Sequence, residues 1–120
     1  SYHNKGEVEG WLRFFLDGVL ITAERSIETA RKVLALREQD ARKISEAGGS
    51  AQRALSLLDA LYHTPLVRVK DIEGLVDIRN PNALALTNKM IKLGILKEIT
   101  GQKRNRIFAY DDYIKLFQSD

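Results

Sequence analysis

The chain has 120 residues, of which 44% are hydrophobic and 29% charged, values close to globular averages. That length suits one domain, or one small module with an extension, and excludes the separate cofactor and substrate domains of a multi-domain enzyme. With no cysteine there is no disulfide framework and no thiolate zinc site, so a reducing compartment, the cytoplasm, is expected. The longest uncharged apolar stretch, Gly18 to Ala23, falls far short of the roughly 20 residues of a membrane span. The acidic, glycine-containing start does not read as a signal peptide, so a soluble protein with no membrane partner is expected.

The net charge of +3 is unevenly placed. From Ser1 to Tyr62 there are 9 Lys and Arg against 9 Asp and Glu, whereas from His63 to Tyr110 the balance is 9 against 4. Such a local excess is the footprint of a polyanion partner or a solvated basic face.

From about Glu7 to about Glu46 no proline interrupts the chain, and Leu12, Phe15, Leu16, Val19, Leu20, Ala23, Ile27, Ala30 and Leu34 recur at helical spacing. The spacing predicts one long helix. A second apolar line, Trp11, Phe14, Gly18 and Ile21, is expected on a different side. One side can pack on the module that follows, and the other needs a partner. Ala47-Gly48-Gly49-Ser50 is expected to end this helix, with Ser50 capping the next.

Ala54, Leu55, Leu57, Leu58, Leu61 and Tyr62 predict a second helix, stopped before Thr64-Pro65. Leu66 to Val69 reads as a short extended piece, Asp71 to Val76 as a short helix, and Asp77-Ile78-Arg79 as a tight connection. The next helix is expected to take Asn80 as its cap and Pro81 in its first turn, and to run to Leu93 before Gly94. Ile95 to Ile99 and Arg106 to Tyr110 are strand-like and should pair as a hairpin across the polar segment 100–105. Asp111-Asp112 is expected to cap a last short helix carrying Tyr113, Ile114, Leu116 and Phe117.

Three short helices and a basic-tipped hairpin, in that order, predict a mainly α winged helix-turn-helix over 50–120, carried on a long helical segment, 1–47. Asn82, Ala85, Asn88, Lys89 and Lys92 are expected to face outward from the third helix, with Lys103, Arg104 and Arg106 on the wing. Asn pairs with adenine edges and Lys or Arg with phosphates, so duplex DNA is one candidate partner. Winged helices also dock proteins, so docking is the other. Trp11, Phe14 and Ile21 are read as interface residues, and a homodimer through about Trp11 to Arg25 is expected.

Catalytic groups are scarce. His3 and His63 have no metal-ligand or triad spacing, and Gly48-Gly49 lacks the Lys-Ser/Thr of a phosphate-binding loop. No catalytic residue, metal ligand or cofactor is assigned.

The segment Gly6-Glu7-Val8-Glu9-Gly10-Trp11-Leu12-Arg13-Phe14-Phe15-Leu16-Asp17-Gly18-Val19 resembles the one that directly follows the catalytic core of Fic-domain proteins. Thr64-Pro65, Pro81-Asn82-Ala83, Lys92 to Gly101 and Arg104 to Tyr110 are similar to the winged helix at the C-terminus of the same proteins. The resemblance covers nearly the whole chain. It implies a parent that transfers AMP from ATP to hydroxyl side chains, with magnesium, through a core bearing H-P-F-x-x-G-N-G-R. This chain has no His-Pro and no Gly-Asn-Gly, so no catalytic residue of the family maps onto it. The resemblance therefore implies a C-terminal module without its core, serving recognition, docking or dimerisation, with Trp11, Phe14 and Ile21 packed on the core or on a second copy. The alternative is a DNA-binding winged helix acting in transcriptional regulation.

Overall fold

The proline-free leading sequence forms a single helix, α1 (Lys5–Glu46), in the computed structural model, which describes residues 5–118. It ends where Ala47 N–H donates to the Lys43 carbonyl and the chain turns through Gly48 and Gly49, both in the left-handed region that glycine enters without a Cβ penalty. The protein is mainly helical, with further short helices and a small antiparallel sheet. It divides into two compact units between Lys32 and Val33.

In the first unit every described side chain from Gly6 to Glu28 is exposed. Within this unit nothing covers the line Leu12, Phe15 and Val19, which is exposed along with Trp11, Phe14 and Ile21. Nor are the two lines separate. Trp11 and Phe15 stand at i and i+4, and their rings stack at 5.6 Å, joining both lines into one apolar band.

The second unit starts with 33–46 of α1, which buries Asp40 and Ile44 completely. Ala54, Leu57, Leu58 and Leu61 recur at i, i+3, i+4 and i+7 on α2 (Gln52–Leu61), and all four are fully buried. Burying each leucine is worth about 1.5–3 kcal/mol. Ser50 does not cap α2: the residue before the helix is Ala51, and no side chain bonds its first turn.

Leu66–Val67 forms β1, and α3 (Val69–Val76) follows at once, two residues earlier than the sequence pattern predicts. The Asp71 carboxylate explains the early start, because it accepts from the Arg68 backbone N–H at 2.8 Å and closes the first turn. At the other end Arg53 donates to the Val76 carbonyl at 2.6 Å and the Asp77 carbonyl at 3.1 Å, satisfying acceptors that the helix leaves free.

Next comes α4 (Asn82–Lys92), which buries Ala83, Thr87 and Met90; the Thr87 hydroxyl is satisfied by the Ala83 carbonyl at 2.8 Å. Pro81, not Asn80, is the residue flanking this helix, and no side chain caps it. Gly94 has φ +79, which lets the Ile95 and Leu96 amides both reach back to the Met90 carbonyl. Those two amides are therefore unavailable to a ladder, and strand β2 shrinks to Lys97–Glu98.

Strand β3 (Phe108–Ala109) lies between β1 and β2, antiparallel to both, and pairs Leu66 and Lys97 with Ala109, and Val67 and Glu98 with Phe108. The expected hairpin is present, and β1 adds a third strand. The last helix, α5 (Asp111–Lys115), holds Asp111 and Asp112 in its first turn, not at the cap, which Tyr110 occupies. Asp111 pairs with Lys115 at 2.9 Å, and that cation holds its carboxyl below the usual range.

Candidate nucleic-acid interface

Burial of Ala83, Thr87 and Met90 fixes which side of α4 looks outward, and Asn82, Ala85, Asn88 and Lys92 are exposed as the spacing predicts. Lys89 departs from the expectation, and Leu84 is 36% exposed beside the outward residues. Lys89 is half-buried and its ammonium points at the Gly48 carbonyl, 3.4 Å away, so it is engaged at the end of α1. Asn82 lies on that flank too, lining a shallow hollow with Ser50, Arg53, Ile78 and Leu86.

The opposite flank is different. Arg68 and Lys70 at the start of α3, Asn80 before α4, and Lys103, Asn105 and Arg106 from the hairpin tip converge on an open cleft of about 290 Å³, with Leu84 and Val69 completing the lining. Of these, the charge pattern singles out Lys103 and Arg106, while Arg68, Lys70, Asn80 and Asn105 come from separate chain segments that only the fold brings together. Arg104, also expected on the tip, is exposed and does not line the cleft.

Charge in this region is offset only in part, Arg106 attracting the Glu98 carboxylate without a close ion pair. Among the described residues, none of the cations from Arg68 to Arg106 forms an ion pair. The nearby acids are committed elsewhere: Asp71 to the Arg68 amide, and Glu98 to the turn after β2. Glu98 accepts from the Thr100 hydroxyl and the Gly101 amide, both at 2.6 Å, and from the Thr100 amide. The Thr100 hydroxyl bond, then the Gly101 amide and more weakly Arg106, hold its carboxyl below the usual range. Arg106 sits over the Phe108 ring, 5.2 Å from its centroid, a contact that orients the guanidinium without cancelling its charge.

No protein-family model and no curated protein matches the chain.

Other candidates can be placed as well. Trp11, Phe14 and Ile21 are 63%, 78% and 51% exposed, and a groove of about 570 Å³ runs along α1 over Gly18 between Phe14, Phe15 and Thr22. His63 is exposed, and His3 lies outside the described residues. Among the described residues no group of His, Asp or Glu is arranged to hold a metal ion, and no helix is long and apolar enough to cross a membrane.

Proposed function

We propose that the chain is a non-catalytic winged helix-turn-helix module from the C-terminal region of a Fic-family protein adenylyltransferase, and that it serves docking. The order α2, β1, α3, α4, β2, β3 supports the winged-helix reading, with α4 as the recognition helix and 99–107 as the wing. The tryptophan-phenylalanine segment 6–19 and the segments 92–101 and 104–110 support the parentage.

The apolar band on α1 carries the docking role. Trp11, Phe14 and Phe15, each more than half exposed, together offer on the order of 400 Å² of ring surface, about half of what each partner contributes to a standard interface of roughly 800 Å² a side. In the parent polypeptide the Fic core takes this face, and AMP transfer belongs to that core. In the isolated chain a second copy takes it, by two-fold pairing of the same surface.

Sedimentation equilibrium tests this. The chain should run at about twice 13.6 kDa, and Trp11→Ala with Phe14→Ala should give a monomer whose winged helix stays folded. A wild-type chain that stays monomeric at high concentration overturns the pairing of two copies.

The second reading, a DNA-binding winged helix in transcriptional regulation, is favoured by the unpaired cations between Arg68 and Arg106.

A further inference from the structure

We infer that the cleft between the start of α3 and the hairpin tip is a seat for the phosphate backbone of duplex nucleic acid, contacted by Arg68, Lys70, Lys103 and Arg106. The inference rests on the DNA-binding reading and relocates its main contacts from the recognition helix to its wing-side flank.

Four observations lead there. The first is convergence: cations from α3 and from the hairpin tip line one cleft of about 290 Å³ together with Asn80 and Asn105. A cluster of like charges is unfavourable without a counter-charge; no carboxylate of the described residues forms a close ion pair with these four, and the weak attraction of Arg106 to Glu98 leaves positive charge in excess. A polyanion supplies the missing charge, and the two asparagines add neutral donors for phosphate oxygens.

The second is what the cleft lacks. No aromatic side chain lines it, and Phe108 and Tyr110 are buried, so unpaired bases would find nothing to stack on. That disfavours single strands, whose binding depends on such platforms.

Third, the neighbouring outward strip of α4, Ala85, Asn88 and Lys92, is exposed, so a groove can receive the helix on this side. Phosphates flanking that groove are the groups a cleft beside the helix would meet.

Fourth, the residues that could read bases are few. Leu84 and Ala85 offer only apolar contact, while Lys89 and Asn82 lie on the flank away from the cleft. Contacts are therefore mostly to backbone, and discrimination among duplex sequences is expected to be small.

The test is fluorescence anisotropy of the whole chain with a short random-sequence duplex across a salt series. Binding should weaken steeply with salt. Arg68→Ala with Lys70→Ala should flatten the slope of log K against log salt by about 2, and Lys103→Ala with Arg106→Ala should do the same. Arg79→Ala with Lys97→Ala removes the same charge from the basic segment outside the cleft, and should leave the slope nearly unchanged. If that control pair flattens the slope equally, duplex binding stands but the cleft assignment falls. If no duplex binds at low salt, both the cleft and the DNA-binding reading fall. Polyglutamate or a single strand of equal charge that binds as tightly as the duplex overturns the choice of ligand. Thermal melts accompany every variant, and should the Arg68 and Lys70 pair prove unstable, the Lys103 and Arg106 pair decides.

Discussion

Asp40 and Tyr110, 70 positions apart in the sequence, meet in a side-chain hydrogen bond at which both residues are fully enclosed. The Tyr110 hydroxyl donates to Asp40 and lies 3.0 Å from the Tyr62 hydroxyl, while Lys43 stands 3.6 Å from the other Asp40 oxygen. That second oxygen has no hydrogen-bond donor, so Lys43 supplies its compensation as charge alone. Burial, reinforced by Asp40, pushes the Tyr110 hydroxyl far above its ordinary value, which keeps the proton in place for donation.

Tyr110→Phe should therefore destabilise the second unit by about 1–3 kcal/mol, because it leaves an enclosed carboxylate oxygen without its donor. Asp40→Ala should cost a comparable amount, and the double variant should cost clearly less than the two together. Urea unfolding of all four proteins measures this. Strict additivity would show that the two groups do not interact.

The turn after β2 should loosen in acid. Glu98 has a lowered carboxyl value in the folded chain, so its contribution is present above the ordinary carboxylate range of about 4.3 and is lost as pH falls through the folded value. Amide exchange at Thr100 and Gly101, whose N–H groups Glu98 accepts, should quicken as pH drops through that window, after correction for intrinsic exchange. In Glu98→Ala both amides should exchange fast at every pH.

Lys89 and Lys92 share a helix but should behave differently. Lys89 is engaged with the Gly48 carbonyl, whereas Lys92 is exposed. Lys92→Ala should flatten the salt dependence of duplex binding by about 1, and Lys89→Ala should leave it nearly unchanged. Equal effects in anisotropy would place both lysines on the nucleic acid.

Much of the fold was legible because it is local. Period-four apolar residues mark α2 and α4, Gly94 marks the end of a helix, and the change from helical to strand-like patterning after it marks the hairpin. What was not legible depends on distant partners. Nothing near Leu66 announces Ala109, and an aspartate in a charged helix gives no sign that it will be enclosed by a tyrosine. Local rules also misplaced three caps: Ser50, Asn80 and Asp111 are suitable residues, yet Ala51, Pro81 and Tyr110 flank the three helices and no side chain caps them, although α5 does begin at Asp111. For the candidate site, composition revealed the basic hairpin tip but not Arg68 and Lys70, which stand at the start of α3 with α4 between them and the tip in sequence. The two apolar lines on α1 were readable, but treating them as separate overlooked that positions 11 and 15 are neighbours on a helix.

The middle strand of the sheet is the last to be made. β3 supplies partners for β1 and β2 alike, and Tyr110, directly after it, gives its amide to the Pro65 carbonyl at 2.8 Å. On a ribosome adding roughly 5–20 residues per second, α2, α3 and α4 can condense while the sheet still has neither of its pairings. Closure then waits for Phe108 and Ala109 to emerge, and a nascent chain stalled short of them would expose the edges of both waiting strands, a state that proteases and chaperones are built to recognise.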